Sequence, residues 1–460
     1  MMLPWERIET VLNDTDPLKL SGRVVRSKGL IVEGTLPGAR VGMMCRLMIR
    51  GRSEGVPAEV VALRDGRVSF MPLGEVPGIS EGSRIEPISM DPTIGVGDDM
   101  IGRVLDGLGQ PIDGGPPIHA TARQLLRPPP HNPLHRNKIG DALHMGITAL
   151  DSMLTCAQGQ RVVIMAGAGV GKSTLLGMMA RHTAADVTVV ALIGERSREV
   201  KEFVEDGLGQ EGLSHSVVVA STGDTSPALR IRAACVATAI AEYFSGKGLR
   251  VLLLMDSLTR VAMAQRDLGL ATGEMPGTRG YPPSAFAIIP KLVERAGPGI
   301  SGGSITAFYT ALLEGDDTKD PVGDYIRAST DGHVVLNRRL AEQQHFPAID
   351  VLASVSRVMT NVVSPEHQRA SGVLRRLISE LREAEEMRSM GAYRPGENPQ
   401  YDRLMPLATP LRTFMTQSPG EHRGQETVLS QMVELADWYE RVEREGASTD
   451  LAAASGEAGA

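Results

Sequence analysis

The period of the apolar positions changes along the chain, and each change marks a boundary. Trp5, Ile8, Val11 and Leu12 recur at helical spacing with Glu6, Arg7 and Glu9 between them, so residues 1–20 read as a short amphipathic helix. Such a helix either packs on the first domain or serves as a docking handle for a partner. From 21 to 90 the pattern becomes short Val/Leu/Ile-rich runs (23–25, 30–33, 45–50, 58–63 and 68–71) cut by Gly and Pro turns. Several short strands with frequent turns predict a small β-barrel. Pro128, Pro129, Pro130 and Pro133 predict a stiff connection to the next domain. From 140 to 360, apolar runs at 161–165, 187–193, 217–220, 251–255 and 304–311 alternate with helical patterns. That alternation predicts a parallel sheet with helices on its faces. Residues 362–446 read as helical: Leu374, Leu377, Ile378 and Leu381 share one face, and Glu380, Arg382, Glu383, Glu385 and Glu386 solvate the rest. The small polar residues 447–460 predict a disordered tail. The expected division is therefore 1–20, 21–90, 91–360, 361–446 and 447–460.

Composition narrows the function without naming it. The 460 residues are 42% apolar and 22% charged, as in ordinary globular proteins. Lys plus Arg is 48 against 55 acidic residues, a net charge of −7, which argues against nucleic acid as the main partner. Aromatics are only 3%, too few for a surface that stacks many bases. Cys45, Cys156 and Cys235 are far apart, so they read as small buried hydrophobes in a reducing compartment. No apolar run is long enough to span a membrane, and residues 1–12 lack the pattern of a signal peptide. A soluble cytoplasmic protein is the expectation.

Four motifs carry chemistry. Ala166-Gly167-Ala168-Gly169-Val170-Gly171-Lys172-Ser173-Thr174 follows the strand at 161–165 and opens a helix, the context that a P-loop requires. Its glycines turn backbone N–H groups toward phosphate, and the helix N-terminus adds its positive end. Ala168 to Thr174 would then bind the nucleotide, with Lys172 reaching the β- and γ-phosphates and the Ser173 hydroxyl holding Mg²⁺. Ala166 stands where the general pattern has Gly. The apolar run 251–255 ends in Asp256, which predicts a carboxylate at the sheet edge, ordering Mg²⁺ water. Glu195, in the loop after 187–193, is a candidate to polarise the attacking water, although a helix N-terminal acid has the same local appearance. Arg357, in Ser354-Val355-Ser356-Arg357, reads either as a structural ion pair or as a cation offered to a neighbouring subunit.

Taken in order, Gly194-Glu195-Arg196, Asp256-Ser257-Leu258-Thr259-Arg260 and Pro347-Ala348-Ile349-Asp350 resemble the rotary ATPase family over nearly the whole chain, including Gly109-Gln110-Pro111-Ile112-Asp113-Gly114. Ala264-Gln265-Arg266, Gly280-Tyr281-Pro282-Pro283-Ser284, Glu294-Arg295-Ala296-Gly297, Glu314-Gly315-Asp316-Asp317 and Gly391-Ala392-Tyr393 are similar to the type III export ATPases. The start, with Asp16-Pro17-Leu18 and Gly22-Arg23-Val24, is closer to the flagellar kind than to the injectisome kind. The resemblance implies an α/β fold with a P-loop, RecA-like core, an N-terminal β-barrel and a C-terminal helical domain. It implies ATP and Mg²⁺ as cofactors and hydrolysis coupled to protein export. Glu195 would position water, Arg196 and Arg260 would support phosphates and nearby acids, Arg357 would be the finger across an interface, and Phe346 would pack on adenine. A homohexamer is implied, with a regulatory stator-like protein at the N-terminus, a central-stalk protein, export substrates and chaperones as partners. The ring would sit at the inner-membrane export gate. Two other classes are weighed. A Rho-like RNA translocase would need a basic, aromatic-bearing N-terminal fold, but 21–90 holds one aromatic, Phe70. A non-hydrolysing ring subunit would not need Lys172, Glu195 and Asp256 together.

Overall fold

The computed structural model describes residues 20–457, apart from 50, 52–53, 91, 131, 301, 314–319 and 395, and the side chains of 447–457. The amphipathic pattern at 1–20, apart from Leu20, and the Glu314–Asp317 motif lie outside the described residues.

The first unit is a closed six-stranded barrel. Its strands Gly22–Lys28, Ile31–Thr35, Met44–Leu47, Val56–Arg64, Arg67–Pro72 and Arg84–Ser89 pair antiparallel, closing between the first and the last. Closure leaves no strand edge exposed to template unwanted pairing. Alternating side chains of these strands fill the interior with Val24, Val32, Cys45, Leu47, Val60, Phe70 and Ile85. Arg84–Ser89 lies outside the expected runs, and it carries Pro87, a residue that disfavours a strand interior. It is tolerated beside a register shift between Met44 and Cys45.

The second unit is built on one long sheet. In spatial order its strands are Ile349–Ser356, Gly332–Leu336, Arg161–Ala166, Ser304–Leu312, Arg250–Asp256, Val187–Ile193, Ser216–Ser221 and Arg103–Leu105. All these pairs are parallel except the first, which is antiparallel, and Gly297–Pro298 adds a short antiparallel pairing to Ser304–Leu312. Parallel strands are covered on both faces, so they read as continuous apolar runs. Along Arg161–Ala166, Val162, Ile164 and Ala166 face one core while Val163 and Met165 face the other. The second core is covered by helices Pro227–Gly246, Leu258–Ala271 and Pro283–Val293.

The Pro-rich stretch does not separate domains. Strands Thr93–Val96 and Ala122–Leu125 pair on the helix Pro227–Gly246, and Ile94, Val96 and Leu126 join its core. Past the prolines, Arg136 donates to the carbonyls of Ala296 at 2.7 Å and Glu294 at 2.6 Å. The stretch therefore runs along the surface of the sheet domain. Barrel and sheet domain meet where Arg127 pairs with the buried Glu59, and where Met44, Met71 and Leu73 pack on Ala228.

The C-terminal unit is three long helices, Pro365–Ser389, Pro399–Met415 and Gln425–Glu457. The last helix runs to Glu457, where a disordered tail is expected from 447. Ala452, Ala453 and Ala454 are strong helix formers, and small side chains alone do not decide against helix. Leu374, Leu377, Leu407, Phe414, Met432 and Tyr439 are continuous with the core that holds Ile147, Leu150 and Leu176. The helices thus share a core with the sheet domain. The face expected to be wholly solvated is partly engaged as well: Tyr439 donates to Glu380 at 2.9 Å, and Arg382 pairs with the buried Asp350 at 2.9 Å.

Candidate active site

The parallel strands all deliver their C-terminal ends to one edge of the sheet, and the loops there carry the chemistry. The loop 167–171 leaves the end of Arg161–Ala166 with Gly169 at φ 76° and Gly171 at φ 88°, values a side chain rarely tolerates. Ala166 is still within the strand, and its carbonyl accepts from Leu313 N–H at 3.0 Å. Glycine is therefore not demanded there, which accounts for the departure from the general motif. The helix Lys172–His182 starts after Gly171 without a side-chain cap. Its first-turn N–H groups and the exposed Ser173 and Thr174 face the loop opening. A Cβ on Gly171 would meet ring carbons of Phe346 at 3.5 Å, so Phe346 lies over the loop, half exposed. Arg338 Nη2 donates to the Ala168 carbonyl at 3.4 Å.

Lys172 reaches the neighbouring strand ends. Its Nζ donates to Asp256 Oδ1 and lies 3.5 Å from Glu195 Oε1. Asp256 is 3% exposed and Glu195 9% exposed. Thr310 donates its hydroxyl to Asp256 Oδ1 at 2.7 Å. Glu195 Oε1 is buried and accepts no hydrogen bond. Burial raises the Glu195 carboxyl to about 7, the negative charge of Asp256 adds to the shift, and Lys172 opposes it. A hydrogen bond between the two carboxyl groups favours the proton on Glu195 and holds Glu199 below the usual range. A carboxyl titrating near neutrality, beside a lysine and a second acid, has the properties of a general base. Arg260 packs its side chain against Gly194, within 3.3 Å of where a Cβ would stand, and its Nε is buried without a partner. An uncapped helix start, an orphaned buried carboxylate oxygen and an orphaned guanidinium nitrogen together fit a nucleotide carrying a metal ion.

Two predicted residues are elsewhere. Arg196 has an 84% exposed side chain paired with Glu199 at 3.4 Å, on the outside of the loop. Arg357 lies at the opposite edge of the sheet: its N–H donates to Asp331 O at 3.1 Å, and Asp331 Oδ2 accepts from Arg161 N–H, at the start of the P-loop strand. The six residues of that strand, at roughly 3.3 Å each, separate Arg357 from its own P-loop by about 20 Å. Arg357 is exposed and makes no ion pair among the described residues. Thr310 and Arg338 were not legible as site residues. A threonine inside an apolar run and an arginine far along the chain carry no local signal. Asp113, from the family-like Gly109–Gly114 turn, is structural: it accepts from Arg103 at 2.8 Å twice and from Val104 N–H.

Comparison with known proteins agrees with this domain order. Residues 24–88 match the beta-barrel domain of the ATP synthase alpha/beta family, 146–356 its nucleotide-binding domain, and 363–434 the T3SS EscN ATPase C-terminal domain. The chain is 45% identical over 425 residues to the flagellum-specific ATP synthase of Treponema pallidum, covering 92% of this chain and 95% of that one. The chain belongs to the type III export branch of the ATP synthase alpha/beta family. Its fold matches that of the assembled ATPase EscN from the enteropathogenic E. coli type III secretion system, with TM-score 0.84, 42% identity, and 90% and 100% of the two chains covered. A second structure, EscN in complex with its central stalk EscO, matches at TM-score 0.82 and 41% identity, covering 90% and 100%. This export ATPase is an ATP-hydrolysing enzyme built as a barrel, a nucleotide-binding domain and a helical domain. Among the described residues no helix is long and apolar enough to cross a membrane.

Proposed function

We propose that this chain is the Mg²⁺-dependent ring ATPase of a flagellar type III export apparatus. The injectisome apparatus is the second reading, favoured by the likeness to EscN. The observation that carries the reading is the convergence of Lys172, Glu195 and Asp256 at one sheet edge while Arg357 stands at the other. Backbone N–H groups of Gly169 to Thr174 would cradle the phosphates, and Phe346 would pack on the adenine. Ser173 and Asp256 would hold Mg²⁺, which would supply charge neutralisation to the phosphates when bound. Lys172 leaves Asp256 for the phosphates, so Asp256 is released to its metal role by the same event that fills the site. Glu195 accepts a proton from the attacking water. Arg260 lies close enough to Glu195 to steady that charge.

Arg357 then completes the site of a neighbouring copy. One chain supplying two different half-sites makes a heterologous interface, and a homohexamer closes it into a ring. The central-stalk partner follows the EscN–EscO complex, and the stator-like partner, cargo and chaperones follow the family. The ring would act in the cytoplasm, peripheral to the inner-membrane export gate. The test is ATP hydrolysis against protein concentration, with and without RNA. Specific activity that climbs with concentration and ignores RNA supports the reading. Activity that is flat with concentration removes the interfacial role of Arg357, and activity that appears only with RNA revives a Rho-like translocase.

A further inference from the structure

The strand Ser304–Leu312 lies between the P-loop strand and the Asp256 strand and is bonded to both. Its end makes three contacts with the site. Thr310 Oγ1 donates to Asp256 Oδ1 at 2.7 Å. Leu312 N–H donates to Thr259 Oγ1 at 3.1 Å, at the start of the helix that follows Asp256. Leu313 N–H donates to the carbonyl of Ala166 at 3.0 Å, where the P-loop begins. Thr310 is fully buried, so its hydroxyl has no water to exchange with. Lys172 and Thr310 both bond the same oxygen, Oδ1. Neither bonds Oδ2.

We infer that Thr310 is a positioning residue for the metal acid: its hydroxyl pins Asp256 Oδ1, and so turns Oδ2 toward the metal's water once Lys172 has left for the phosphates. This rests on the reading of Asp256 as the metal-side carboxylate. The need for such a pin follows from the site's own exchange of partners. Without nucleotide, Lys172 and Thr310 share the orientation of Asp256. With nucleotide, the lysine is engaged elsewhere, and a buried carboxylate with no remaining donor would be free to rotate. A hydrogen bond to an ionised acceptor is a strong one, and groups that orient metal-side carboxylates typically change metal affinity by about 10–100-fold when removed. Thr310 sits on a rigid central strand, so the oxygen is held by the sheet itself.

The experiment is binding of a fluorescent ADP analogue at graded Mg²⁺ concentrations, alongside ATPase kinetics, for the full-length chain and the variants Thr310→Val, Thr310→Ser and Asp256→Asn. Valine nearly keeps the shape and replaces the hydroxyl by a methyl, so the hydrogen bond to Asp256 is lost. The expected result is that Thr310→Val binds metal-free nucleotide as the unmodified chain does but needs about tenfold more Mg²⁺ for its tight-binding form. Its kcat falls while KM at saturating Mg²⁺ changes little, and Thr310→Ser restores the unmodified Mg²⁺ requirement. Thr310→Val with an unmodified Mg²⁺ requirement overturns the inference, as does a loss that Thr310→Ser does not repair. If Asp256→Asn also leaves the Mg²⁺ requirement unchanged, the assignment of Asp256 itself fails; if only Thr310→Val does, that assignment stands and the positioning role alone is lost.

Discussion

The two edges of the central sheet are built to opposite rules. At the N-terminal edge a few neutral groups, Thr188 Oγ1, Ser304 Oγ and His333 Nδ1, lack hydrogen bonds, but the charged side chains are paired: Arg161 bonds Glu294 and the Ala296 carbonyl, and Arg250 bonds Asp186 at 2.6 Å. At the C-terminal edge they are left wanting. Glu195 Oε1 and Arg260 Nε are buried with no hydrogen bond, and the Glu195 carboxyl is raised to about 7. Buried charged groups are normally satisfied, so a carboxylate oxygen and a guanidinium nitrogen orphaned together at the C-terminal edge mark the place where a ligand completes the set. Arg357, exposed and without an ion pair among the described residues, stands at the N-terminal edge, at the far side of the strand from its own P-loop. On the proposed reading, one edge lacks partners, the other offers a cation without an ion pair among the described residues, and two copies of the chain would resolve both.

The sharpest way to break this comparison is to damage each edge in a separate chain. Arg357→Ala should lower kcat by about 10³-fold, the scale of an arginine finger, with nucleotide binding retained. Mixed with Lys172→Ala, which should not bind nucleotide, it should regain part of the activity, since the mixed interface pairs an intact P-loop with an intact arginine. No recovery on mixing, in an ATPase assay across ratios of the two variants, would place Arg357 outside the active site. Next in size, Glu195→Gln should bind ATP and turn it over about 10²–10⁴-fold more slowly, the range of a lost general base; single-turnover kinetics read this directly.

A smaller effect is on pH dependence. Glu195 must be ionised to accept a proton, so kcat/KM should fall as pH drops through about 7, and Glu195→Gln should lose that limb. Stability moves the other way. The folded chain holds the Glu195 proton more tightly than the unfolded chain, so stability present below the ordinary value of 4.5 is lost as pH rises toward 7. Glu195→Gln should therefore melt at a higher temperature than the unmodified chain at pH 8, and the gap should close at pH 4. The smallest effect belongs to the barrel, remote from either edge. Arg26→Ala breaks a pair with Glu33 at 2.8 Å whose arginine is 60% exposed, and denaturant unfolding should show a midpoint almost unchanged from that of the unmodified chain.

Legibility followed the range of the forces involved. The P-loop could be read locally because its glycines, lysine and helix start are contiguous; Arg357 left two readings open from its own motif, and Phe346 could be read only through family likeness. Thr310 could not be found, because a buried threonine in an apolar strand looks the same whether its hydroxyl bonds its own backbone or a catalytic acid. Arg382 looked like part of a wet helix face, yet it spans to Asp350 in the sheet domain. The proline run looked like a linker, but Arg136 ties the chain just beyond it to the carbonyls of Glu294 and Ala296.

By itself the sequence determined the period of each element, the barrel–sheet–helix order, and the presence of Lys172, Glu195 and Asp256 at the ends of apolar strands. Those follow from local alternation and from short motifs. Only the tertiary structure decided which strand lies between which: that Ser304–Leu312 separates the P-loop from Asp256 and brings Thr310 onto its carboxylate, and that Arg357 stands at the edge opposite its own nucleotide site. Strand order is set by packing between residues far apart in the chain, and no local pattern encodes it.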